Sequence, residues 1–306
     1  MSKEKEHLWG YLAAGGTVAI WTGFILISRL GGKSLLTPYD VLALRLGTAA
    51  LLLLPFIGSL PADVWRDLRL WALSGLGGLL YGLLVYAGFK QAPAAHGAIL
   101  LPGLQPFLVA AVAWFLAGTR PSRASLGGLA GIALGIGLVS VPLFSGDAGQ
   151  GAGAVLMGDG LILASSVAWA FYSVLAKRWG YSPWVLTRFV ALGSAAAYLP
   201  VYLLWLPKQL DAVPMTTLLI QGLYQGIGPT IVAMLLFLKA VAILGPQRTG
   251  ALIALVPVLA GLAAAPLLGE PLSGWLLAGL VCVSTGAFWA ARPVSFTPPR
   301  SAPCPT

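Results

Sequence analysis

Charge is what this sequence has least of. Asp, Glu, Lys and Arg together make up 9% of its 306 residues, against about a quarter in soluble domains. That scarcity is the solvent preference of a membrane protein. Cysteine is nearly absent too: Cys282 lies in an apolar run and Cys304 in a Pro-rich tail, which supports neither a disulfide framework nor a metal site. No Gly-x-x-x-x-Gly-Lys-Ser/Thr loop is present for a nucleotide, and no Asp or Glu lies at mid-span to relay protons. No Ser/His/Asp set or His-Glu-x-x-His helix supports intramembrane hydrolysis. The expectation is a protein that is not an enzyme and holds no cofactor and no metal.

What is present is apolar length. The hydrophobic share is 58% and the mean hydropathy +0.88. A bilayer-crossing helix needs about 20 apolar residues, because every backbone N–H and C=O must be satisfied internally. Taking charged and Pro/Gly-rich joints as borders, ten spans fall near 8–28, 38–59, 70–89, 95–118, 124–143, 155–176, 183–206, 215–238, 247–268 and 274–291. The opening MSKEKEH has the charge of a signal sequence, but the apolar stretch after it is too long for a cleaved one. It reads as a retained first helix. The Pro-rich end, SFTPPRSAPCPT, is expected to be disordered.

Orientation follows from Lys and Arg in short loops. With a cytoplasmic N-terminus, only Arg29, Lys33, Lys90 and Lys208 of the 18 Lys and Arg fall outside, while Arg45 and Arg188 lie within spans. Both termini are then cytoplasmic, and the net charge of +9 reflects topology and anionic lipid, not nucleic acid.

The chain repeats itself. Leu100–Ser122 (LLPGLQPFLVAAVAWFLAGTRPS) and Ala251–Ser273 (ALIALVPVLAGLAAAPLLGEPLS) share an early proline, small residues and a polar corner. Trp21 pairs in order with Trp169, Arg29 with Lys177, Arg45 with Arg188, Pro55 with Pro200 and Lys90 with Lys239. This predicts a tail over 1–7, a five-helix repeat over 8–143, a periplasmic linker over 144–154, a second repeat over 155–291 and a cytoplasmic tail over 292–306. Five is odd, so the second repeat must be inverted, with a binding site near the midplane. The expected fold is all-α and integral to the membrane, ten helices in two inverted repeats around a central cavity. Glu270 occupies the position of Arg120, so it reads as an exposed corner whose replacement by Gln should matter little.

Two five-helix units, with a Pro-containing run ending in Leu-Gly-Glu-Pro-Leu-Ser at residues 268–273, resemble the ten-helix EamA-like exporters of the drug/metabolite transporter superfamily. Pro257, Gly269, Glu270, Pro271 and Ser273 carry the resemblance, with Trp169 and Arg188 earlier in the same half. The first half departs from the family pattern at Thr119-Arg120, where Gly-Glu is usual. The resemblance implies export of aromatic amino acids from the bacterial inner membrane.

Helix-breaking residues point to the route. In the fourth span Pro102, Gly103 and Pro106 flank Gln105; in the eighth, Gly226, Gly228 and Pro229 interrupt the run; Pro257 is the ninth span's counterpart of Pro106. Each break is either a lined cavity or a packing kink. Gln221, Tyr224, Gln225 and Gly228 form one helical face that lipid would not tolerate and should look inward. Trp21 with Phe24, and Trp169 with Tyr172, are symmetric mid-span pairs suited either to core packing or to a flat substrate. Tyr81 adds aromatic surface, and His96 opens the fourth span. Arg45 and Arg188 read as structural residues that snorkel to the interface. Gly127, Gly131 and Gly135 form a close-packing ladder.

Candidate substrate-binding residues are therefore Trp21, Tyr81, His96, Gln105, Trp169, Tyr172, Tyr224 and Gln225. Candidate hinges are Pro102, Gly103, Pro106, Gly228, Pro229 and Pro257. The expected function is export of aromatic and other apolar amino acids or related metabolites by alternating access, with a broad drug/metabolite exporter as the alternative. A lipid scramblase or an intramembrane enzyme would need a polar lipid-facing groove or a catalytic set. The partners are a small-molecule substrate and membrane lipid; the sequence leaves the oligomeric state open and is compatible with a monomer.

Overall fold

The computed structural model describes residues 3–118, 123–144 and 151–290, and every regular element among them is helical. Ten spans follow one another: α1 Lys3–Lys33, α2 Pro38–Ser59, α3 Leu68–Phe89, α4 Ala94–Leu116, α5 Arg123–Phe144, α6 Ala152–Trp179, α7 Pro183–Trp205, α8 Met215–Leu244, α9 Arg248–Leu268 and α10 Gly274–Ala290. Eight are long and apolar enough to cross a bilayer, and α5 and α10 contribute shorter apolar stretches, Leu126–Val141 and Gly274–Trp289. The corner at Thr119-Arg120, most of the 144–154 linker and the C-terminal segment lie outside the described residues.

Several borders differ from the sequence reading, among them the end of α1 at Lys33 instead of 28, and two of the shifts have a clear physical reason. α1 starts at Lys3, inside the supposed tail, because Glu4 and Glu6 sit in its first turn, where the helix dipole favours acids. α8 continues past residue 238 to Leu244 because Lys239 need not end it: its ammonium lies 5.3 Å from the Trp9 ring, so the stem covers apolar surface and the charge is met by a π face. Elsewhere local chemistry sets the ends as expected. Thr37 and Asp40 form a capping box before Pro38 at the start of α2. Gly118 (φ +67°) and Gly269 (φ +66°) end α4 and α9 in the left-handed conformation, the same cap at equivalent places in the two halves.

Side-chain contacts identify which ends lie together. On the side where α1 starts, called here the tail side, Arg178 of α6 donates to Leu116 O at 3.0 Å and Arg188 of α7 to Phe56 O at 3.3 Å. On the far side, Arg29 at the end of α1 meets Glu270 after α9, and His96 at the start of α4 meets Asp159 at the start of α6. α1 thus starts on the tail side and α6 on the far side, so the second five spans enter from the side opposite to the first. The halves also touch on the tail side, where the Tyr181 hydroxyl donates to Asp67. That hydrogen bond holds the Asp67 carboxyl below the usual carboxylate range, while desolvation, aided by the same bond, pushes the Tyr181 hydroxyl up to about 12.

α5 and α10 pack through glycine. A Cβ on Gly135 would sit 2.7 Å from Gly279 O, and one on Gly286 2.6 Å from Gly128 O, so the backbones touch directly. Gly131 belongs to this seam, its Cβ position 3.2 Å from the Gly286 Cα. Gly127 does not: a Cβ there meets nothing within 4 Å, because it lies on the exposed face of α5.

Candidate functional site

A cavity of about 520 Å³ lies between the halves, lined by residues of α1, α2, α3, α4, α6, α8, α9 and α10. Much of its wall is aromatic. The Tyr81 and Trp169 rings are 4.9 Å apart, Trp169 and Tyr172 also 4.9 Å, and Trp21 and Phe237 5.5 Å. Trp21, Phe24, Arg45 and Tyr81 are mid-span, whereas Phe237, Gly250, Ile253 and Ala287 lie nearer the tail side. The cavity therefore extends from mid-depth towards the tail side.

Interrupted helices build this wall. Pro229 has no N–H, so Gln225 O loses its donor four residues on; Thr230 replaces it, donating its hydroxyl at 2.7 Å. In α4, the Leu104 N–H reaches back five residues to Ile99 O at 2.9 Å. That wide turn releases Leu100 O, which the Ser166 hydroxyl of α6 takes at 2.7 Å, and Gln105 Nε2 donates to Ser166 O at 3.0 Å. Another wide turn, unforeseen in the sequence, precedes Tyr81, whose N–H donates to Leu76 O. Gly77 in that turn lets the Tyr172 ring in, because a Cβ there would stand 2.6 Å from Cδ2 of that ring. α9 restarts at Val256-Pro257 after a turn at Ala254-Leu255. Pro102, Pro106 and Pro229 line the cavity; Gly103 and Pro257 are buried behind it.

Arg45 is a cavity-lining residue that the sequence reading did not place there. It does not snorkel to an interface but points into the cavity. Nε donates to Thr230 Oγ1 at 3.0 Å and Nη1 to Tyr86 OH at 3.2 Å. The guanidinium carbon lies 5.8 Å from the Phe24 centroid and 5.9 Å from that of Tyr81, close enough for cation–π attraction. Among the described residues no carboxylate lines the cavity. Its repeat partner Arg188 behaves as expected of a structural residue, capping the end of α2 at Phe56 O and Ser59 on the tail side.

The site residues proposed from sequence separate into groups. Trp21, Tyr81, Gln105 and Trp169 line the cavity, and Tyr172 lines a small adjoining pocket that shares Arg45 and Trp169 with it. Tyr224 and Gln225 do not line it. Their face of α8 does look inward, but at α1: Tyr224 OH donates to Ile20 O at 3.0 Å, Gln225 Nε2 to Ser28 Oγ at 3.0 Å and Gln221 Nε2 to Ile27 O at 2.8 Å. These groups join two helices. His96 is also off the cavity, with Nδ1 2.9 Å from Asp159 Oδ2 on the far side.

The far end is closed by charge. Arg29 Nε donates to Glu270 Oε1 at 2.7 Å and Arg29 Nη1 to Phe89 O at 2.8 Å, while Glu270 Oε2 accepts from Ala94 N at 2.8 Å. Lys33 Nζ donates to Leu268 O. The exposed-corner reading of Glu270 is thus overturned: its side chain is 10% exposed, because the left-handed Gly269 turns it back under α1 and the start of α4.

Comparison with known proteins agrees with this arrangement. A family model described as the EamA-like transporter family matches twice, at residues 8–141 and 156–292, one match per half. An uncharacterized transporter of Bacillus subtilis (strain 168), YetK, is 22% identical over 291 residues, covering 93% of this chain and 87% of its own. A crystal structure of another protein shares the fold with a TM-score of 0.59 at 23% identity, covering 92% of this chain and 96% of the other. The chain is a multi-pass membrane protein and belongs to the EamA-like transporter family.

Proposed function

We propose that this transporter exports aromatic and other apolar amino acids or closely related metabolites across a bacterial inner membrane by alternating access, with the tail side cytoplasmic. The carrying observation is the aromatic-walled cavity at mid-depth between two oppositely entering halves, extending to the tail side and sealed by an ion pair on the far side. In an inverted repeat the two halves can exchange conformations, which gives a state in which the far side opens and the tail side closes. Lys and Arg on the tail side, including Arg178, Lys239 and Arg248, support its cytoplasmic assignment.

Counterflow in proteoliposomes with a panel of amino acids and cationic drugs tests this reading. Phenylalanine, tyrosine and tryptophan are expected to exchange, and alanine more weakly. Exchange of cationic drugs in preference to amino acids would replace this reading with that of a broad drug exporter. A second expectation concerns Trp169, which contacts both Tyr81 and Tyr172. Aromatic pairing contributes about 0.5–1.5 kcal/mol beyond buried area, so Trp169→Ala should lower phenylalanine transport about tenfold at about 1.4 kcal/mol per decade. Alanine transport should fall less. Equal loss of both substrates would make Trp169 a packing residue.

A further inference from the structure

A guanidinium is charged at every physiological pH and offers five N–H donors in a rigid fork. Arg45 uses one at Nε and one at Nη1, and the Nη2 group meets no described acceptor. The two engaged donors also fix the fork. Thr230 is held by Gln225 O, the carbonyl released by Pro229, so the broken helix α8 orients the arginine. A charge at this depth is costly without a counter-ion, and two ring faces offset only part of that cost. The described carboxylates are engaged elsewhere or absent from the lining: Glu270 with Arg29, Asp159 with His96, and Asp40 with Thr37, Tyr202 and the Gln209 N–H.

We propose that Arg45 is the specificity residue that receives the substrate's carboxylate on its free Nη edge while Trp21, Tyr81 and Trp169 take the aromatic body. The inference rests on the substrate-cavity reading above and narrows it: the ligand class is aromatic carboxylates, for which the ammonium group of an amino acid is dispensable. No described acid in the lining would hold that ammonium, whereas a carboxylate pairs with the fork through two parallel charged hydrogen bonds.

Calorimetric titration of the purified full chain in detergent with phenylalanine, 3-phenylpropionate and phenethylamine separates the possibilities. Phenylalanine and 3-phenylpropionate are expected to bind within about tenfold of one another, with phenethylamine weaker than both by at least about tenfold. Arg45→Gln should abolish that preference. Arg45→Lys, which keeps the charge without the fork, should weaken both carboxylates about threefold and leave phenethylamine the poorest ligand, so the role of Arg45 is testable even where the Gln variant fails to fold. Binding of all three ligands alike to the unaltered protein would overturn the role of Arg45 and leave the aromatic cavity reading standing. Binding of none would overturn both.

Discussion

Glu270→Gln should open the far side. The substitution keeps the shape of the side chain and its capacity to accept from the Ala94 N–H, but leaves Arg29 without its carboxylate partner. Removing one partner of a fully buried ion pair costs about 3–5 kcal/mol. Here the side chains of Arg29 and Glu270 are 14% and 10% exposed, and solvent screening lowers the expected loss to about 2 kcal/mol, or about thirtyfold in the closed-to-open ratio. Because Arg29 and Glu270 belong to different halves, that loss falls on the contact that seals the cavity and not on either half alone. The check is a protein lacking Cys282 and Cys304 with a single cysteine at Val109, which lines the cavity. Labelling by a membrane-impermeant maleimide should become faster from the far side and slower from the tail side in Glu270→Gln. Unchanged labelling from both sides would mean that the pair contributes nothing to closure.

The spans, the repeat and the inward-looking face of α8 were legible in the sequence because hydropathy, proline and glycine act locally. The partners were not. Glu270 was misread because it was compared with Arg120, its counterpart in the repeat, whereas its actual partner is Arg29, 241 positions away in the chain. Arg45 and Arg188 look equivalent in sequence, yet the environments of the two halves differ. Arg188 has the carbonyl of Phe56 and the hydroxyl of Ser59 at the end of α2, while Arg45 has a hydroxyl supplied by the broken turn of α8. Tyr224 and Gln225 show the same limit. Periodicity places them on an inward face, but whether that face meets a cavity or a neighbouring helix depends on how closely α1 approaches. Gly23 sets that distance, since a Cβ there would stand 1.9 Å from the Tyr224 hydroxyl oxygen.

Gly158→Val is expected to abolish transport outright, and the reason lies in a reciprocal crossing. Gly158, near the start of α6, and Gly88, near the end of α3, bring the two halves into contact on the far side. A Cβ on Gly158 would stand 2.6 Å from Ala92 N and 2.9 Å from Gly88 O, and one on Gly88 would stand 2.9 Å from Gly158 O. The obstructing atoms are backbone, so no rotamer change relieves the clash, unlike at Gly10, where flexible Ile243 and Leu244 side chains are the neighbours. Overpacking of a core costs about 1–3 kcal/mol even where side chains adjust, and valine adds two methyl groups beyond that Cβ. The halves can then accommodate the variant only by separating on the far side, which also draws Asp159 from His96 and Glu270 from Arg29. A carrier held open on one side binds substrate but does not turn over. Gly158→Val should therefore retain phenylalanine binding in detergent, fail in counterflow, and label at a Val109→Cys reporter from the far side. Loss of binding together with loss of folded, monodisperse protein would instead assign the crossing to fold stability. Normal counterflow would show that the halves never close as tightly as this contact requires.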